Sequence, residues 1–160
     1  MWSRADKINL TIALVAAVAA LVAAVPVVKG FWLDWRRPQS SFSNPSAPQH
    51  NTTAATIDAE GTAANLPADN DLWLVVRSDG LWYPIGICTV NDGGWSFEDV
   101  PLGNPKEKGQ YTLYLYLTGP AETGDFADFQ TRQANDESAT GLKSLPPGLR
   151  VLDHAVVTRA

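Results

Sequence analysis

One cysteine, Cys88, and two histidines, His50 and His154, are all that this 160-residue chain offers of those residue types. A lone thiol excludes an intramolecular disulfide framework and any cysteine-based zinc site. The two histidines lie too far apart in sequence for either to have a local metal-ligand partner. Positive charge is also short: twelve Lys and Arg stand against seventeen Asp and Glu, a net of −5. The imbalance grows along the chain, because residues 57–160 hold seven basic and fifteen acidic side chains, a net of −8. A domain so negative repels phosphate backbones, which argues against nucleic acid as a partner. The nucleophile-elbow pattern Gly-x-Ser-x-Gly is missing as well.

What is present begins with an apolar run. From Ile8 to Val28 there are twenty-one residues without a charge, and at ~1.5 Å rise per residue a helix of that length reaches about 31 Å, the thickness of a bilayer core. Phe31, Trp32 and Trp35 follow as an interfacial belt, and Pro26 sits near the end of the run, where a lost backbone bond costs least. The alternatives are a buried core helix and a signal peptide cut near Val22-Ala23-Ala24. Cleavage there would leave Val25 to Val28 and three aromatics at a new terminus, so an uncleaved transmembrane anchor over 8–28 is the expectation. Ala16, Ala20 and Ala24 repeat every fourth residue and form a small-residue stripe suited to helix self-association, hence a homodimer through the membrane helix. Arg4 and Lys7 on one flank against Lys29, Arg36 and Arg37 on the other do not fix orientation. Residues 29–55 read as a juxtamembrane segment and flexible stalk, since Pro38 to Thr56 is built from Pro, Ser, Asn, Gln, Thr and Ala. A stalk favours an extracytoplasmic C-terminal domain on the cell membrane. Asn51-Thr52-Thr53 matches a glycosylation acceptor there.

Beyond the stalk, residues 56–160 change to short apolar runs broken by Gly, Pro, Asn and Asp, the pattern of strands joined by turns. Leu72 to Arg77 and Leu81 to Val90 read as a hairpin about Ser78-Asp79-Gly80. Pro84 removes a ladder donor and so places the second strand at an edge or a bulge. Asn91-Asp92-Gly93-Gly94 makes the next reversal into Trp95 to Val100. Gln110 to Thr118 alternates cleanly, with Tyr111, Leu113, Leu115 and Leu117 on the core side and Tyr114 and Tyr116 on the other. Leu149 to Thr158 supplies the last strand, and Thr56 to Ala63 an opening one. Gly124 to Asn135, with Phe126 and Phe129 three apart and Asp125 near its start, reads as a short surface helix that crosses over between the last two strands. The expected class is mainly β: one N-terminal transmembrane helix, then an immunoglobulin-like antiparallel β-sandwich with one short surface helix.

With the strands placed, the segments Leu72-Trp73-Leu74-Val75-Val76, Trp82-Tyr83-Pro84, Gly94-Trp95, Pro101-Leu102-Gly103, Leu145-Pro146-Pro147-Gly148 and Val157-Thr158-Arg159 carry a resemblance. The chain resembles a family of uncharacterised bacterial, actinobacterial-type, membrane-anchored β-sandwich modules over residues 56–160. The resemblance implies the sandwich and the anchor; it implies no reaction and no catalytic residues. Ile85-Gly86, where family members often show Gln-Gly, and the acidic segment Thr123 to Thr140 depart from its pattern.

Candidate sites divide by chemistry. Asp153 and His154 could form half of a hydrolytic relay, but neighbours on a strand point to opposite faces. Asp69-Asn70-Asp71 has alternate oxygen ligands without the later Glu of a calcium loop. Asp125, Asp128, Asp136 and Glu137 read as a solvated acidic face, and Cys88 as a small core residue. No catalytic residue, cofactor or metal is expected. Aromatic residues exceed what so small a core needs, and Tyr114, Tyr116, Trp82 and Tyr83 are the expected contact residues for a protein partner or small ligand. The sequence therefore points to a non-enzymatic, single-pass membrane protein presenting an interaction or ligand-sensing module. An envelope or assembly subunit is the alternative reading, and a hydrolase using Asp153 and His154 a further one.

Overall fold

A computed structural model describes residues 37–46, 49–103, 108–135 and 140–160, with the side chains of Gln49 and His50 left out. The expected anchor 8–28, its Ala16, Ala20 and Ala24 stripe and the basic residues before Arg37 lie outside the described residues. Among the described residues no helix is long and apolar enough to cross a membrane.

Among the described residues nine strands and one helix follow in order: β1 (Gln39–Asn44), β2 (Gln49–Thr52), β3 (Thr56–Ala64), β4 (Asp71–Ser78), β5 (Leu81–Ile87), β6 (Thr89–Asn91), β7 (Gly94–Pro101), β8 (Gly109–Thr118), α1 (Pro120–Asn135) and β9 (Arg150–Arg159). They form two sheets, β1-β3-β7-β6 and β2-β9-β8-β4-β5. Every pairing is antiparallel except that of β2 with β9. The sheets share one apolar core, to which the first gives Phe42, Ala59, Trp95 and Val100, and the second Leu72, Leu74, Leu113, Leu115 and Val157. The alternation in β8 supplies Tyr111, Leu113 and Leu115 to that core as its period of two requires.

Turn chemistry sets the hairpins. Asp79 and Gly80 both take positive φ, at 51° and 77°, and Asp92 and Gly93 do likewise at 48° and 79°. Two-residue turns of that kind match the right-handed twist of the flanking strands, which fixes Arg77 opposite Trp82 and Asn91 opposite Gly94. Pro84 falls on β5, which is the edge strand of its sheet, and the register slips beside it between Leu74 and Val75. A missing ladder donor is harmless in both settings.

Three expectations need correction. Pro38 to Thr56 is not a stalk in this structure: β1 pairs with β3 and β2 runs parallel to β9, so the compact unit begins at Pro38. Its polar composition concealed this, because edge strands are held by ladder bonds and a single anchor. Phe42 is that anchor, edge-on to Trp95 at 5.0 Å, and its N–H donates to Asp153 Oδ2 at 2.8 Å. The run Leu81 to Val90 is two strands, not one. The chain leaves the second sheet at buried Cys88 and enters the first as β6. The helix starts at Pro120 rather than near Asp125. Pro120 takes the first helical position, where its missing donor is no loss, and Glu122 Oε2 accepts from the Gly119 N–H at 3.1 Å, half of a capping box.

Helix α1 changes the burial of the second sheet. Phe126 and Phe129 are buried, and Phe126 meets Trp73 at 5.1 Å between ring centroids. A second apolar cluster of Trp73, Val75, Tyr116 and Phe126 forms on the sheet face away from the sandwich core, so β4 is buried on both faces. A small polar network holds the helix start: Thr123 Oγ1 donates to Asp71 Oδ2 at 2.9 Å and lies 2.8 Å from Thr118 Oγ1.

Candidate interaction face

The outer face of the second sheet is only half covered. Near Asp71 and Thr118 it lies under α1, with Leu145 and Leu149 packed against the same cluster; towards the other end Arg77 and His154 are exposed. Residues directly opposite one another in a ladder share a face, so the register determines which side chains meet in the open half. Trp82 on β5 opposes Arg77 on β4, Arg77 opposes Thr112 on β8, and Thr112 opposes Val156 on β9. One row further on, Val75 opposes Tyr114, and Tyr114 opposes His154.

The aromatic rings in these rows form a continuous strip. Trp82 and Tyr114 lie 5.1 Å apart between centroids, and Tyr114 stacks on His154 at 5.7 Å with 23° between the planes. Tyr116 is 6.0 Å from Tyr114 and 6.4 Å from Trp82. The Arg77 guanidinium sits 4.9 Å above the Trp82 ring, within cation–π range. Trp82 is fixed from both sides. Beyond the β4 ladder, its N–H donates to the Leu142 carbonyl at 2.9 Å, and Leu142 N–H returns a bond of 2.8 Å. This bridge also caps the free edge of β5. Gly141 makes it possible, since a Cβ there would stand 2.7 Å from the Tyr83 ring.

The structure thus brings together three of the four expected contact residues and separates the fourth. Trp82 and Tyr114 are half-buried, with area left for a partner, whereas Tyr116 is only 5 % exposed and belongs to the cluster under α1. Tyr116 is a supporting residue of the strip, not a surface for contact. Burial pushes its phenol above the ordinary range, Tyr114 adds to this, and Arg77 opposes it. Tyr83 faces the other way, packs against the sandwich core and lines a cleft of about 340 Å³ with Tyr111, Ile85 and Gln133. The reason is parity: Tyr83 follows Trp82 on one strand.

Two members of the strip were not expected, Arg77 and His154. Arg77 could have been found from the Asp79-Gly80 turn, which places it across from Trp82. His154 needed the β8–β9 register, which slips between Leu115 and Tyr116. Asp153 and His154 diverge as neighbours on a strand should: the Asp153 carboxylate takes the Phe42 N–H, while His154 lies against Tyr114. Asn70 and Asp71 are engaged in structure, Asn70 Nδ2 donating to the Thr118 carbonyl at 3.0 Å and Asp71 accepting from Thr123. Asp125 and Asp128 are exposed on α1 and line a groove facing Leu145 and Pro146, while Asp136 and Glu137 lie outside the described residues. Among the described residues there is no group of three side chains fit to hold a metal. Burial raises the Cys88 thiol to about 12, which makes it a poor nucleophile.

Arg159 is buried, and its Nη1 donates to the Leu102 carbonyl at 2.9 Å, joining Val157-Thr158-Arg159 to Pro101-Leu102-Gly103. No protein-family model, no curated protein and no solved structure matches the chain.

Proposed function

We propose that the chain is a non-enzymatic, single-pass membrane protein that presents an immunoglobulin-like sandwich as an interaction or ligand-sensing module, with the strip of Trp82, Tyr114 and His154 beside Arg77 as its contact surface. The observation that carries this reading is the open half of a sheet face lined by aromatic rings on three strands, an arrangement that offers large contact area at low entropy cost. Outward positions of the first sheet are instead Ser, Thr and Glu, as Ser41, Glu60, Thr62 and Ser96 illustrate.

Strand order supports the immunoglobulin-like part. The order β1-β3-β7-β6 corresponds to strands A, B, E and D of that fold, and β9-β8-β4-β5 to G, F, C and C′. Tyr111 near the start of β8 sits where that fold keeps a tyrosine at the head of strand F. The core between the sheets is filled by side chains such as Ala59, Leu74 and Leu113, and a single cysteine allows no disulfide across it. The anchor rests on the run Ile8–Val28, and an extracytoplasmic domain on the same reading of the sequence. The opposed directions of Asp153 and His154 weigh against the hydrolase alternative, because the carboxylate is already engaged by Phe42.

A photo-crosslinking side chain placed at Thr112, in the middle of the open half, tests the surface in cells. A discrete adduct is expected there and not from the same group at Thr62 on the other sheet. Equal labelling at both positions would refute the assignment. A reporter fused after Ala160, active in only one compartment, tests the topology.

A further inference from the structure

We infer that the open half of this sheet face is a seat for a carboxylate-bearing segment of a partner protein, held by the Arg77 guanidinium above a bed of Trp82, Tyr114 and His154. This rests on the interaction reading above and adds the chemistry of the partner.

Charge complementarity carries it. The domain is strongly acidic, with seven basic against fifteen acidic side chains over residues 57–160. Yet the rows that make up the open half contain Arg77, Trp82, Thr112, Tyr114, His154 and Val156, and no carboxylate. Asp153, the acidic residue nearest in sequence to His154, has its carboxylate on the opposite side at the Phe42 N–H. Arg77 is exposed, and among the described residues it has a ring contact with Trp82 and no ion pair. A guanidinium resting on a ring uses its π face and keeps its edge donors for a planar acceptor, which a carboxylate fits with two parallel bonds. The bed beneath supplies the apolar contact that a single charge pair on a surface cannot.

A polyanion fits less well. Phosphate chains and sulfated glycans are bound by rows of cations that multiply their effect. Here one arginine stands in a strip otherwise aromatic, within a domain whose overall field repels such chains. An acidic residue set among apolar ones is the better match.

The test uses the full chain purified in detergent and two fluorescein-labelled octapeptides, one with a single glutamate set among leucines and serines and its counterpart with glutamine in place of that glutamate. Fluorescence anisotropy is expected to show salt-sensitive binding of the glutamate peptide, at least about tenfold tighter than the glutamine one, with R77E and R77Q each losing about tenfold and D125N unchanged. R77K should retain part of the affinity, since it keeps the charge but not the fork. If both peptides bind equally and W82A abolishes binding while R77E does not, the charge inference falls and the interaction face stands. If neither peptide binds, the inference falls and the crosslinking at Thr112 judges the face by itself. Tighter, Arg77-dependent binding of heparin would assign the seat to a glycan, and self-association removed by R77E would assign it to a second copy; either result overturns the proposal.

Discussion

Replacing Phe126 with alanine tests whether α1 is a structural layer or a loosely attached crossover. Phe126 is fully buried and edge-on to Trp73 at 5.1 Å, in a cluster with Val75 and Tyr116. Truncating a buried phenylalanine typically costs ~3–5 kcal/mol, the higher end where the surroundings cannot collapse into the void. One wall of this cavity is the central strand β4, paired on both sides with β5 and β8 and so poorly able to move. The upper half of that range is therefore expected. For a folded unit of on the order of 120 residues the unfolding entropy is ~0.25 kcal/mol per degree, which converts the loss to a fall in Tm of about 16–20 °C. Near-UV circular dichroism of the full chain in mild detergent reads both the midpoint and the asymmetric environment of Trp73. Phe126→Leu, which fills most of the space, should cost only ~1–1.5 kcal/mol. A fall below ~1 kcal/mol for F126A would refute the reasoning. It would mean that α1 does not complete a second core, and that Trp73 and Val75 are covered by something else or not at all.

Other positions give simpler outcomes. Gly80 has open space around its Cα but φ at 77°, so Gly80→Ala should cost ~1 kcal/mol through backbone strain alone, measurable as a lower denaturant midpoint with an unchanged m-value. Asp153→Ala leaves the Phe42 N–H without its acceptor and should cost ~1–3 kcal/mol, whereas Asp153→Asn keeps a carbonyl acceptor and should cost less; an unchanged denaturant midpoint for Asp153→Ala would mean that the bond between β9 and β1 contributes nothing. Burial raises the Cys88 thiol from 9.0 to about 12, so the unfolded chain gives up this proton first. Stability should then fall as pH rises from about 9 towards 12, and Cys88→Ala should lose that component of the slope in pH-dependent denaturation.

Where the sequence was informative, local rules decided the outcome. Asp79-Gly80 and Asp92-Gly93 need positive φ, and only two-residue hairpin turns use such pairs in series, so both reversals were legible. Pro84 announced its edge, and the alternation of β8 assigned Tyr111, Leu113 and Leu115 to the core. The failures share a physical cause, namely that the deciding interactions are non-local. β1 and β2 are polar, and what makes them strands is the ladder each forms with β3 and β9, far away in sequence. The break at Cys88 is invisible because the apolar run continues while the chain changes sheets. Tyr116 looked like a surface residue because its neighbours alternate, but α1 covers its face. For the candidate site, the facing of Trp82, Tyr114 and Arg77 was within reach of parity and turn geometry. Their union with His154 was not, because it needs two strand pairings and a bulge.

The position of the strip follows from how the second sheet divides its outer face. A two-sheet sandwich needs only its inner faces apolar, so an outer face that is aromatic on β4, β5 and β8 has to be covered or used. Helix α1 covers one end, where Trp73, Val75 and Tyr116 lose their exposure to Phe126. The helix crosses over from the end of β8, at Thr118, with its start tied to Asp71, and its later turns run beside β5, where the Gln130 side chain donates to the Ile85 carbonyl. At the other end of the same strands, four to six residues on, Arg77 and His154 are exposed, and the Leu142 bridge protects the β5 edge. The boundary passes through Tyr114, which touches the buried Tyr116 on one side and the exposed His154 on the other. The rigid half of the face therefore holds the open half in place. A contact surface whose rings are fixed by a packed neighbour loses little side-chain entropy when a partner arrives, and binding energy is spent less on ordering it.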